Sequence, residues 1–218
     1  MGLLIMKKLL LFLALVAPAV VQAGSSSSIA WTPETLKFVK QGNADKGKEL
    51  AKSCAGCHGE QGISVMPETP SLAGQLATYT YKQLRDYAKD QRRNPLMTAT
   101  AQGLSEQDTA DLGAWFSTLK PATGSGSEVT AKSKKLIEEG DGKRIVPPCF
   151  VCHGANGQGE KMDIPALSGQ KADYLIKTLQ EYKSGQRHND VYSRMRLIAQ
   201  QLSEAEIKGL AQYYEQAK

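Results

Sequence analysis

The chain has 218 residues, of which 41% are hydrophobic and 22% charged, with 20 Gly and 9 Pro. That composition excludes a collagen-like, coiled-coil or wholly disordered protein. The formal net charge is +5 and falls to +3 without Lys7 and Lys8, too weak a bias to point to nucleic acid. Aromatics make up only 6%, so a core must find its bulk elsewhere.

Near its start the chain carries Met6-Lys7-Lys8, an apolar run over 9–16 and the small-residue stretch Ala17-Pro18-Ala19-Val20-Val21-Gln22-Ala23. This pattern reads as a signal peptide over 1–23, cleaved after Ala23, which sends the mature protein out of the cytoplasm into the periplasm. The apolar run is too short for a comfortable membrane anchor, and no later segment is apolar enough to span a bilayer. Peripheral membrane association stays open. In an oxidising compartment four Cys need disulfides or another covalent partner. Residues 24–42 form a Ser-rich N-terminal extension in which Thr32-Pro33-Glu34 marks the start of a helix.

From residue 43 one unit is written twice. Cys54-Ala55-Gly56-Cys57-His58-Gly59 recurs 95 residues later as Cys149-Phe150-Val151-Cys152-His153-Gly154. The same offset relates Pro70 to Pro165, Gly74 to Gly169, Gln75 to Gln170, Tyr79 to Tyr174, Tyr87 to Tyr182, Arg92 to Arg187 and Asn94 to Asn189. Beyond Asn189 the offset is 98, relating Met97 to Met195 and Leu112 to Leu210, so the second copy carries three extra residues, most cheaply placed in a loop. The expected organisation is a domain over 43–119, a Gly/Ser-rich linker over 120–127 and a homologous domain over 128–218.

Each copy reads as all-α. Helices are predicted over 79–89 and 174–183, and a closing helix follows the cap residue Ser105 or Ser203, the latter with Glu206 as a full capping box. The closing helices turn Leu112, Trp115, Phe116 and Leu119, or Ile207, Leu210, Tyr213 and Tyr214, inward. No alternating strand pattern appears. Pro147-Pro148 interrupts the helix expected before Cys149, and a helix over 132–139 stands in for it.

Cys-x-x-Cys-His is the attachment signature of c-type haem: two thiols bond the porphyrin edge and the following His ligates iron. A single zinc cage would have to bridge two repeats and leave both His unexplained. A thioredoxin-like pair needs a βαβ context that is missing, and plain disulfides do not explain the repeated His and Gly. Cys54 and Cys57, with Cys149 and Cys152, are therefore expected to hold two covalently bound haem c groups, with His58 and His153 on the irons. Haem supplies the apolar bulk that a domain of this size, poor in aromatics, otherwise lacks.

For the second axial position the first copy has no other His. Met97 follows His58 by 39 residues and Met195 follows His153 by 42; both read as lying in the loop just before a capped terminal helix, with enough chain to reach the opposite face. Met66 and Met162 follow by only 8 and 9, which favours loop packing for their flexible thioethers. His188 competes with Met195, although its neighbourhood beside Arg187 favours a surface role. Met/His ligation closes both axial positions and suits electron transfer. Arg92 and Arg187, with Tyr79, Tyr174, Tyr87 and Tyr182, are repeated polar groups able to meet haem propionates.

With Pro-x-Leu-x-Gly placing Pro70 and Pro165 each 12 residues after a motif His, the pattern resembles class I cytochromes c. Carried twice across a linker, it resembles the dihaem cytochrome c4 family. The resemblance implies two tandem class I cytochrome c domains, a Pro70 or Pro165 carbonyl accepting the hydrogen bond from each axial His, and propionates facing each other across a pseudo-twofold interface. The implied function is transfer of single electrons between a donor complex and a terminal oxidase or reductase, without catalysis of its own. Alternatives are the electron-transfer subunit of a larger dehydrogenase and a dihaem enzyme such as a peroxidase. A Cys-ligated enzyme centre is excluded because no Cys lies outside the two motifs.

Overall fold

The structure is a computed structural model that describes residues 27–124 and 130–217. The signal-peptide reading over 1–23 and the last part of the expected linker lie outside the described residues. Among the described residues the fold is helical, without strands, and only two isolated bridges, Asp141 to Val146 and Glu160 to Ile164, interrupt the loops. No described helix is long and apolar enough to cross a membrane.

The first group of helices comprises α1 (Pro33–Lys40), α2 (Ala44–Ala51), α3 (Ala55–His58), α4 (Ala77–Ala88), α5 (Pro95–Gln102) and α6 (Glu106–Thr118). The second comprises α7 (Ala131–Glu139), α8 (Cys149–His153), α9 (Ala172–Ser184), α10 (Arg194–Gln201) and α11 (Glu204–Gln216). Thr32 caps α1 by accepting from the Thr35 amide, with Pro33 at the first helical position where its missing N–H costs nothing. Both closing helices start in full capping boxes. Ser105 pairs with Asp108 as Ser203 does with Glu206, so the shorter carboxylate completes the motif as well as the longer one.

Ala51, Leu112 and Phe116 form a buried cluster in the first half, and Leu136, Ile137, Leu175, Ile207, Leu210 and Tyr214 form one in the second. Trp115, Leu119 and Tyr213 pack against these clusters while only partly buried. The crossing of α2 over α6 needs Gly47, because a Cβ there would stand 2.0 Å from the Asp111 carbonyl oxygen. In the second half the glycine changes sides. Gly209 of α11, the repeat mate of Asp111, admits Ser133 of α7.

The copies diverge where the sequence departs from strict repetition. α7 lies well upstream of Cys149, and between them Gly140 (φ +69°) opens a loop that Pro147 and Pro148 carry into α8. Arg144 in that loop donates two bonds of 3.0 Å to the Glu206 carboxylate and a third to Asp141 at 2.7 Å. The three extra residues form a tight turn over Val191–Ser193, with Tyr192 and Ser193 both at φ +58°. Met97 and Met195 do not sit in loops: both lie in the first turn of short helices, α5 and α10. Asn94 and Pro95 nucleate α5. In the second half Asp190 takes over the capping duty, accepting from the Arg196 amide at 3.0 Å.

Residues 120–124 are seated rather than free. Pro121 lies against Gly74, Ala122 against the repeat-related Gly169, and the Gly124 amide donates to the Ala217 carbonyl at 3.2 Å.

Loss of either cap, Ser105→Ala or Ser203→Ala, is expected to destabilise its half by about 1 kcal/mol in denaturant titrations of the holoprotein. The Arg144 hydrogen bonds hold the Glu206 carboxyl down to about 2, against the opposing effect of burial and with help from Ser203. Its pKa is lower folded than unfolded, so its stabilisation is complete above about pH 4.5 and is lost as pH falls toward 2. Thermal unfolding of Glu206→Gln should start lower at neutral pH and lose less between about pH 4.5 and pH 2 than the unmodified chain.

Candidate haem sites and the seam between the halves

In each half the motif is one short helix that ends on its His. The His58 carbonyl is followed by Gly59 at φ +81° and the His153 carbonyl by Gly154 at φ +84°, a left-handed exit open mainly to glycine. Both imidazoles are buried. The His58 Nδ1 lies 2.8 Å from the Pro70 carbonyl oxygen and the His153 Nδ1 lies 2.9 Å from that of Pro165. A carbonyl only accepts, so Nδ1 carries the proton and Nε2 keeps its lone pair. Burial lowers both imidazole pKa values, against the pull of the proline carbonyls, and keeps the rings neutral as metal ligation requires. All four Cys are half-buried, and none is paired in a disulfide.

Met97 and Met195 are half-buried, whereas Met66 and Met162 are exposed at 46% and 38%. Met162 lies in a loop where its carbonyl accepts from the Thr78 hydroxyl at 2.7 Å, across the seam between the halves. His188 is half-buried between the buried Arg187 and Asn189. Lys132, Lys134 and Lys135 form an exposed face whose charges each stand within 4 Å of a carboxylate, on Glu206, Glu138 and Glu139.

The halves meet through bonds that exchange under the repeat. The Ser71 amide donates to Gln170 Oε1 at 2.9 Å and Gln170 Nε2 returns a bond of 2.9 Å to the Ser71 carbonyl. The Ala166 amide donates to Gln75 Oε1 at 2.9 Å and Gln75 Nε2 answers to the Ala166 carbonyl at 3.1 Å. Arg92 Nη2 reaches the Tyr174 hydroxyl and Arg187 Nη2 the Tyr79 hydroxyl, both at 3.0 Å. Each guanidinium stacks on a tyrosine of its own half, Arg92 over Tyr87 at 4.7 Å and Arg187 over Tyr182 at 4.6 Å. The repeats thus form a pseudo-twofold seam. Gln75 and Gln170 were legible as repeated residues but carried no role in the sequence; their signal was a polar side chain kept in both copies after a strained glycine.

Arg92 and Arg187 are 8% and 3% exposed, yet their hydrogen-bond partners are phenols and amides, and Arg187 Nη1 is buried without any partner. Burial raises the Tyr174 phenol, but the two guanidiniums outweigh it and bring it down to about 8. A buried guanidinium without an anion is expensive. The seam is therefore suited to carboxylates brought by a ligand. With the paired thiols and the neutral His on one helical turn in each half, the residues present fit two haem groups: thiols for the vinyl edges, imidazole for iron, and cations for the propionates.

Fold and site together define a tandem class I c-type cytochrome with two covalent haem c groups. The family described as Cytochrome c matches residues 44–120 and 140–218. The cytochrome c4 of Thiocapsa roseopersicina is 39% identical over 176 residues, covering 79% of this chain and 91% of that protein. The structure of reduced recombinant cytochrome c4 from Pseudomonas stutzeri superposes with a TM-score of 0.78 at 34% identity, covering 81% of this chain and all of that one. A thiosulfate dehydrogenase electron acceptor from Stutzerimonas stutzeri is 32% identical over 183 residues, covering 82% of this chain and 83% of that protein. The chain belongs to the dihaem cytochrome c4 family.

Replacing all four motif Cys by Ala leaves the seam cations without anions and each half without its apolar centre. Circular dichroism of that variant is expected to lose most of the helical signal of the holoprotein.

Proposed function

We propose that the protein is an exported electron carrier, working in the periplasm after loss of its signal peptide, that passes single electrons between a donor complex and a terminal oxidase or reductase. Bound haem supplies an iron that cycles between ferric and ferrous states without making or breaking bonds to substrate. Cys54 and Cys57 hold one haem, and Cys149 and Cys152 the other. His58 with Met97, and His153 with Met195, would supply the iron ligands. The Pro70 and Pro165 carbonyls take the Nδ1 protons, fix each imidazole plane and leave Nε2 for the metal. That hydrogen bond, found in both copies beside the paired motif cysteines, is the observation that carries the reading.

With Met97 and Met195 as iron ligands neither centre would offer a site for peroxide or oxygen, which supports a carrier rather than an enzyme. Arg92 and Arg187 would neutralise the propionates, Tyr79 and Tyr174 would orient them, and the bonds among these residues hold the halves together at the seam. A second reading, service as the electron-accepting partner of a dehydrogenase, is supported by the likeness to thiosulfate dehydrogenase electron acceptors over most of the chain.

The intact mass of the exported protein should show two haem additions. Met97→Ala and Met195→Ala should each remove about half of the weak ferric charge-transfer band that marks iron–thioether bonding. A mass with fewer than two haems, high-spin iron at rest, or rapid peroxide turnover would sink the carrier reading.

A further inference from the structure

The pseudo-twofold seam is broken on one side by a buried cluster that the repeat does not reproduce. Asp86 of α4 is fully buried. Its Oδ2 accepts from Lys82 Nζ at 2.5 Å and from Asn189 Nδ2 at 2.7 Å, across the seam. Lys82 Nζ also donates to the Asn189 carbonyl at 2.6 Å. Asn189 Oδ1 then accepts from Arg187 Nε at 3.0 Å. Thus Asp86 grips Asn189 from the first half, and Asn189 grips the guanidinium whose Nη1 has no partner.

The repeat-related positions do something else. Lys177, the mate of Lys82, pairs at the surface with Glu68, and Asn94, the mate of Asn189, is exposed and caps α5. The inserted turn explains the exchange. With Asp190 supporting α10, Asn189 is released from capping and its side chain enters the seam.

The N-terminal extension completes the cluster. Ser27 Oγ donates to Asp86 Oδ1 at 2.6 Å, the Ser28 amide donates to Gln91 Oε1 at 2.8 Å, and Lys89 Nζ donates to Ser28 Oγ at 3.0 Å. Behind these bonds Ile29, Trp31 and Phe38 pack on the cluster of Val39, Tyr81 and Ala110. This strap precedes residue 44, where the family match begins.

We propose that Asp86 and Asn189, braced by Ser27 of the N-terminal strap, are positioning residues that fix Arg187 and so make the second haem centre inequivalent to the first. The proposal rests on the electron-carrier reading. Asp86 tethers Asn189, Asn189 orients Arg187, and the same segment runs through Asp190 into the helix that bears Met195. Arg92 has no asparagine tether and meets the cluster only through Gln83 Oε1, which it shares with Arg187 and Asn189, so disturbance of the cluster falls mainly on the Arg187 side.

The test is a redox titration of the holoprotein followed by NMR signals resolved for each centre. Asn189→Ala changes no charge, so any shift reports Arg187 placement rather than a distant charge. The expected result is a shifted midpoint potential for the centre on Cys149 and Cys152, and a smaller shift for that on Cys54 and Cys57. Removal of residues 24–31 should shift the same centre in the same direction, Ser27→Ala less so, and Ser27→Thr should restore it. Glu181→Asp, which keeps the charge at the mate of Asp86, should move neither. Equal shifts of both centres, or none in Asn189→Ala and in the strap deletion alike, overturn the proposal while leaving the carrier reading standing. An unmodified chain with fewer than two haems overturns both.

Discussion

Two guanidinium groups buried on one seam, without a carboxylate to meet them, set the terms for the rest of the structure. Arg92 and Arg187 are held by phenols, amides and the faces of Tyr87 and Tyr182, which orient a cation but do not neutralise it. In a low-dielectric setting such an arrangement stands only if anions arrive from outside the polypeptide. The same polypeptide is poor in large apolar side chains, so its halves lack bulk at their centres. One type of ligand answers both needs, an apolar plate that carries carboxylates on one edge. Folding, cofactor attachment and assembly of the seam are thus one event rather than three.

Duplication gave this molecule its seam, and divergence gave the seam a direction. The glutamine bonds and the Arg–Tyr bonds exchange under the repeat, which is what an isologous contact between two copies requires. Symmetric contacts alone would leave two equal centres. Three inserted residues and a strap before the first copy change that, because together they move one asparagine from a helix cap into the seam and brace it from behind. A buried Lys82–Asp86 pair contributes little net stability against its desolvation, so its persistence points to specificity of arrangement.

Much of this was legible in the sequence because covalent chemistry fixes spacing. The paired motifs, the closing helices with their serine caps, the helix at Thr32 and the substitute helix before Pro147 all follow from local rules that tertiary context did not override. What stayed hidden depends on pairing across distance. Arg92 and Tyr174 read in the sequence as separate polar groups able to meet propionates, and only the fold places them 3.0 Å apart. Met97 and Met195 look like loop residues because their helices are short, lie beside Pro95 or an inserted turn, and bury only Ala101 and Ala199. Asp86 and Lys82 read as an ordinary pair four residues apart on a helix, which is usually solvated; only burial by the second half gives them weight.

An electron carrier with two centres works best when their separation is constant, since the reorganisation needed for each transfer then stays local. A Gly/Ser-rich connection between domains suggests the reverse, two bodies on a flexible tether. The bonds at the seam decide against free motion. Gln170 holds both backbone groups of Ser71 and Gln75 both those of Ala166, so each glutamine amide makes two bonds that must break together, and Pro121 and Ala122 are clamped against Gly74 and Gly169 at the start of the connection. Glycine at both positions leaves room for the chain to pass between the halves, and a Cβ at Gly169 would collide with the Ala122 carbonyl oxygen. Residues 120–124 are therefore part of the interface, and the distance between centres is set by packing at the seam.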